Sequence, residues 1–364
     1  MKNGRWLCGF VVLLLAFVLA CNSKPNPNGS GTVVAKTSSN PKQIIGAGST
    51  FVYPVMSKWI EGFQQQSNGV QVNYQSIGSG GGIQQLKKGL VDFGASDAAL
   101  DDEALKGAAP MLQIPESAGP VCITYNLPSL KQPLRLTPRT VAGIFLGTIK
   151  SWQDPEIKKS NTGAALPNTE IVVAHRTEGS GTTNIFTTYL SVVSPEWQQK
   201  IGKGTSVEWP VGLGGKGSEG VTGIVKQSPG AIGYVELTYA LGNTLPVAEV
   251  QNTAGKFVAP SAESASAAIA AFADKIALDV RTPIVNPPAS APEAYPISGF
   301  TFLMVPADGP DAAKRAEVKR FIRYVVSDGQ QMASTLHYAP LPPPLVEQDQ
   351  RLLDRMTADG KPLP

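Results

Sequence analysis

Short apolar runs separated by longer stretches with helical periodicity mark the chain from residue 42 onward. The runs Gln43–Gly46, Val70–Ile77, Val91–Ala95, Val121–Tyr125, Glu170–Arg176, Ala231–Leu237 and Phe300–Val305 predict strands. Between them, Tyr53–Gln66, Thr182–Val193, Ser264–Ile276, Asp311–Ser327 and Leu345–Met356 predict amphipathic helices. Strand and helix in alternation predict an α/β protein with largely parallel sheets. A chain of 364 residues exceeds what one hydrophobic core serves well, so two lobes are expected.

The N-terminal residues have another pattern. Lys2 and Arg5 precede an apolar run from Trp6 to Ala20 that is short for a membrane span but suited to a signal h-region. Residues 1–20 therefore read as a signal peptide, and the chain as exported. The run stops at Val18-Leu19-Ala20-Cys21, which resembles a bacterial lipobox except for Leu19, where a small residue is usual. Cys21 is the candidate lipidation site; the alternative is an ordinary signal peptide followed by an incidental cysteine. Acyl chains on Cys21 would hold the protein at a membrane surface without spanning it. Asn, Ser, Pro, Gly and Lys dominate residues 22–41, so 21–41 reads as a lipidated cysteine plus flexible tether.

Charge and cysteine usage narrow the classes. Once Lys2 and Arg5 are set aside, 29 of the 31 basic residues remain to face 28 acidic ones. Without a basic excess or clustered Lys and Arg, a nucleic-acid partner is excluded. With Cys8 in the signal and Cys21 lipidated, Cys122 stands alone in an apolar stretch, a buried inert thiol without a disulfide partner. His175 and His337 are the only histidines and lack metal-ligand spacing, so neither metal nor cofactor is expected.

Candidate chemistry lies where strand gives way to helix. Glycine turns flanked by Ser or Thr occur at Gly46–Phe51, Ile77–Gly82, Thr177–Thr182 and Gly212–Ser218. One such turn alone is a helix cap. Several together point to an anion site, because helix N-termini leave amides unpaired and carry partial positive charge. Arg176 ends its strand just before the Ser180-Gly181-Thr182 amides and supplies a cationic arm. Asp97 closes Val91–Asp97 at the strand-end level of the Ser79 turn. A carboxylate suits an anion pocket only where the ligand has a proton to donate, as monohydrogen phosphate has and sulfate has not. As read from the residues, Asp97 serves equally well as an N-cap.

The strings GAGSTF, NYQSIGSGGG, VDFGASD, GSGTT, EWPVGLGGKG, GAIGYVE and YPISGFTF, in this order from Ile45 almost to the C-terminus, resemble the phosphate-specific substrate-binding proteins of bacterial ABC importers. That resemblance implies a periplasmic-binding-protein-like fold of type II, two α/β lobes joined by a two-segment hinge. It divides the chain into a discontinuous first lobe (42–116 and 296–364), a second lobe (127–286) and hinge segments 117–126 and 287–295. It implies a phosphate cage of Thr50, Phe51, Ser79, Asp97, Arg176, Ser180, Gly181 and Thr182, with Phe51 acting through its backbone. Glu178 stands where relatives often carry Asp, and is expected to orient Arg176 over a longer arm. The implied function is high-affinity capture of monohydrogen or dihydrogen phosphate at a periplasmic or cell-surface location. Delivery would be to an ABC permease and its ATPase.

Three rivals differ in class. An exported hydrolase would draw on the serines of the glycine turns, but there is no G-x-S-x-G elbow. His175, adjacent to Arg176 on a strand, should face away from it. The chain is therefore expected not to be an enzyme. A receptor for another tetrahedral oxyanion, sulfate or the like, would share the turns but has no use for Asp97. A phosphate sensor or scavenger without a permease would have the same site and differ only in partners.

Overall fold

The computed structural model describes residues 42–106 and 109–364. The expectations for the signal peptide, Cys21 and the tether lie outside the described residues. The strands are β1 (Gln43–Gly48), β2 (Gln71–Ser76), β3 (Phe93–Ser96), the long β4 (Met111–Tyr125) and the short β5 (Arg135–Leu136). They continue with β6 (Val172–Arg176), β7 (Leu213–Gly215), β8 (Ala231–Glu236), β9 (Glu249–Gln251), β10 (Phe257–Val258) and β11 (Ser298–Pro306), and end in a hairpin of β12 (Thr357–Ala358) and β13 (Lys361–Pro362).

Eight strands form one sheet in the order β2-β1-β3-β11-β4-β8-β6-β7. The outer pairs, β1 with β2 and β3 and β6 with β7 and β8, are parallel, as strand and helix alternation dictates. The centre departs from the expected parallel arrangement: β11 runs antiparallel to β3 and β4, and β4 antiparallel to β8. The reason is connectivity. β4 lies against β11 over Met111–Pro120 and against β8 over Val121–Tyr125, so a single strand carries the chain from one half of the sheet to the other. Its first ten residues escape a pattern search because Pro115, Ser117, Gly119 and Pro120 read as loop, although only Met111 of the strand is not buried.

Helices cover both halves. Tyr53–Gln66 buries Val55, Met56, Trp59 and Phe63 at helical spacing, and Ala312–Val325 brings Phe321 to within 5.2 Å of Phe63 and 5.4 Å of Phe93, ring to ring. In the other half, Phe186 of Gly181–Val193 packs between Phe145 and Tyr234 at 4.6 and 4.5 Å. Trp59, Trp152 and Trp197 are core residues. His175 stacks on Trp209 at 5.0 Å. The expected helix over Ser264–Ile276 is two, Ala262–Ala271 and Ala273–Leu278, divided at Phe272. Cys122 is buried and free. Among the described residues, no helix is long and apolar enough to cross a membrane.

Candidate functional site

The first glycine turn is set by close packing. A Cβ on Gly48 would lie 2.0 Å from the Ala95 carbonyl oxygen, so only glycine lets β1 approach β3 there at φ +148°. The chain then turns sharply. Three consecutive carbonyls are each held by a tyrosine hydroxyl: Tyr74 donates to Ser49 O at 2.9 Å, Tyr239 to Thr50 O at 2.6 Å and Tyr338 to Phe51 O at 2.6 Å. The Phe51 ring is buried edge-on against Tyr338. Only the Phe51 backbone is left for a ligand, and its amide, like that of Thr50, has no acceptor among the described residues.

The second and third turns meet. Ser79, at the start of helix Ser79–Lys87, accepts through Oγ from the Asp97 amide (3.3 Å) and the Gly181 amide (3.1 Å). The Gly80 amide donates to Gly179 O at 2.9 Å. Ser180 caps helix Gly181–Val193, its Oγ accepting from Thr183 N at 3.1 Å. The Thr182 amide at that helix start has no acceptor among the described residues. The fourth turn joins the first: Thr50 Oγ1 lies 3.0 Å from Ser218 Oγ, and the Ser218 amide donates to Thr50 Oγ1 at 3.3 Å. The helices beginning at Ser79 and Gly181 thus meet at Asp97, the helix beginning at Gly217 meets Thr50, and Ser49, bonded to Asp97 and next to Thr50, joins the two groups, so that their partial positive charges add.

Charged groups complete the assembly. Arg176, 4% exposed at the end of β6, donates from Nε to Glu178 Oε1 at 2.8 Å, from Nη2 to the same oxygen, and from Nη1 to Thr182 Oγ1 at 3.4 Å. Glu178 also accepts from the Gly217 amide at 3.1 Å, which ties the arginine to the fourth turn. Burial pushes the Glu178 carboxyl up, but the Arg176 charge and hydrogen bonds outweigh it and hold the group below its ordinary value. Asp97, also 4% exposed, takes hydrogen bonds from Ser49 Oγ and from Thr182 Oγ1 (3.3 Å). Its pKa is raised to about 6 by burial, against the opposing pull of Ser49, Thr301, Arg176 and Thr182. The result is a buried acceptor ringed by donors, able to hold an anion that itself donates one proton.

Residues 34–329 match the PBP superfamily domain. The chain is 43% identical to the phosphate-binding protein PstS of Xylella fastidiosa (strain Temecula1) over 93% of its length and 96% of that protein's. It is 42% identical to PstS of Pasteurella multocida over 88% and 93%. The chain belongs to the PstS family. Among solved structures it resembles a high-affinity periplasmic phosphate-binding protein, PfluDING, bound with phosphate: TM-score 0.66 and 23% identity, over 85% of this chain and 93% of that one. That likeness places the PstS-family chain in the periplasmic-binding-protein-like α/β fold.

All eight residues singled out in the sequence lie in this one assembly, linked directly or through Ser49, Ser218 and Glu178. The N-cap alternative for Asp97 is excluded, because the following helix, Asp102–Leu105, is capped by Asp101. Lys216 is exposed at the edge of the fourth turn. Ser49, Ser218 and the three tyrosines were not singled out. Ser49 and Ser218 are visible within the glycine turns, but nothing in local sequence ties Tyr239 or Tyr338 to a loop far away in the chain.

Proposed function

We propose that this PstS-family protein captures inorganic phosphate outside the cytoplasm and delivers it to an ABC permease. The observation that carries the reading is the buried Asp97 carboxylate within a ring of hydroxyls, helix N-termini and Arg176. Amides and a guanidinium suit any tetrahedral oxyanion; the carboxylate suits only one that keeps a proton. Charge-assisted hydrogen bonds of this kind contribute about 1.5–3 kcal/mol each. The contacts of Thr50, Phe51, Ser79, Arg176, Ser180, Gly181 and Thr182 with phosphate belong to this proposal, with Glu178 orienting Arg176. The protein acts as a receptor and not an enzyme: the serine that meets a carboxylate, Ser49, serves to hold Asp97, and the histidine next in sequence to Arg176, His175, is stacked on Trp209 and gives the serines no imidazole base.

The two halves of the large sheet, joined through β4, are read as the lobes, with 117–126 and 287–295 as the crossing segments on which they close. Cys21 is read as the lipid anchor that keeps the receptor beside its permease. The experiment is a calorimetric titration of the protein from residue 22 onward, stripped of ligand, against phosphate and sulfate. One-to-one phosphate binding with no sulfate signal is expected. Equal binding of both anions would overturn the role given to Asp97, and binding of neither would overturn the receptor reading.

A further inference from the structure

Glu116 is an acid placed by a strand defect. β4 and β11 pair Ser117 with Thr301 and then Pro115 with Phe302, so Glu116 is the extra residue of a β-bulge. Gln330 takes the backbone carbonyl there, its Nε2 donating to Glu116 O at 2.8 Å. The side chain is wholly buried. Oε1 lies 3.0 Å from the Thr301 hydroxyl oxygen, and Oε2 has no hydrogen-bond partner. One hydrogen bond does not sustain a buried carboxylate. Burial raises Glu116 to about 8, the Thr301 hydrogen bond opposes it, and the neighbouring Asp97 charge adds a smaller rise.

Thr301 stands between two acids: β11 pairs Phe302 with Ser96 of β3, so the next position sets Thr301 across from Asp97, and its hydroxyl opposes the rise in the Asp97 pKa. A hydroxyl has a single proton to give. With Glu116 protonated, the bonds run in one sense: Glu116 donates to Thr301 Oγ1, and Thr301 donates to Asp97. With Glu116 ionised, two buried carboxylates would compete for one hydroxyl and repel each other. The other groups facing the pair are Tyr74 from β2, whose phenol interacts with both carboxyls, and Ser49, Thr182 and Arg176 on the Asp97 side. Asp349, buried on helix Pro343–Leu353, is shifted by burial alone and is not coupled to them.

We propose that Glu116 is a positioning residue of the anion site: as a neutral acid it turns the Thr301 hydroxyl toward Asp97 and keeps Asp97 an ionised acceptor for the ligand's proton. Its consequence for binding rests on the phosphate reading above; the location of the proton does not.

Two measurements test it. In ligand-free protein at pH 7, infrared difference spectra of wild type against Glu116→Gln should contain a protonated-carboxyl band contributed by Glu116, which wild type loses as pH passes about 8. Phosphate titrations then read the relay. Above that pH, where monohydrogen phosphate remains the main species, the wild-type Kd should rise roughly tenfold per pH unit, the slope for binding that requires one retained proton. Glu116→Gln carries a fixed donor and should give a flat profile. Superimposable profiles, or a Glu116 already ionised at pH 7, would overturn the assignment. If wild type binds no phosphate, the receptor reading falls while the infrared band still decides whether Glu116 holds the proton.

Discussion

At the scale of single residues, the proposed selectivity rests on Asp97. Its carboxylate already accepts from Ser49 and Thr182, and Arg176 stands across Thr182, so a ligand oxygen brought to it must arrive with a proton or meet an unscreened negative charge. Sites that demand a ligand hydrogen bond reject analogues lacking it by roughly 10⁴-fold or more. Asp97→Asn removes the charge and offers an amide N–H₂ to either anion. Phosphate affinity is expected to fall by roughly one to two orders of magnitude while sulfate gains, so that the ratio collapses by about 10³-fold or more. Parallel titrations with the two anions give the ratio directly, and an unchanged ratio would free Asp97 of this role. Glu178 illustrates the opposite arrangement. Its carboxylate accepts from both Arg176 and the Gly217 amide and so ties two turns together.

At the scale of elements, the site depends on helix starts lying almost in contact. A Cβ on Gly181 would come within 2.6 Å of the Asp97 amide nitrogen and Cβ, largely backbone that cannot yield cheaply. Gly181→Ala should therefore push helix Gly181–Val193 away from Asp97, weaken phosphate binding by roughly tenfold or more and cost about 1–3 kcal/mol of stability. Gly223→Ala is the contrast. It lies inside helix Gly217–Gln227 with nothing within 4 Å of the added methyl, and should stabilise by about 0.5–1 kcal/mol with binding intact. Denaturant melts and titrations of both variants separate packing at the site from helix propensity. The elements that carry these turns were legible in sequence: Tyr53–Gln66 has the predicted bounds, and β1, β2, β6, β8 and β11 lie within a few residues of theirs. Legibility failed where a strand is buried on both faces. Met111–Pro120 has neither alternation nor a polar face, and its prolines sit at a bulge and near the change of partner from β11 to β8. Glu116 was hidden for the same reason, since a bulge is a property of pairing register and not of local composition.

At the scale of the whole molecule, buried acids set the pH dependence of stability. Burial raises Glu116, Glu236 and Asp349 to about 8 and Asp97 to about 6. Each holds in the native state a proton that the unfolded chain releases near pH 4, so its contribution is fully present below that value and is lost as pH rises toward the native pKa. Carboxyls held low, such as Glu178 and Asp279, act in the opposite sense and lose their contribution only as pH falls through the acid range. Between them these groups place the stability maximum near pH 4. In ligand-free protein the melting temperature should fall steadily from there to about pH 8 and level off beyond. Bound phosphate must be removed first, because ligand at a thousand times Kd adds about 4 kcal/mol and would mask the trend. Glu236→Gln should reduce the slope above about pH 6 by about a third, since Glu236 is one of three acids raised to about 8 and glutamine retains an acceptor for Thr238 N, now 2.9 Å from Oε2. A melting temperature that rises from pH 5 to 8 would show that these acids ionise in the native state. The same result would remove the reason for a neutral Glu116 beside Asp97, so calorimetric melts across this range bear on the fold and on the anion site together.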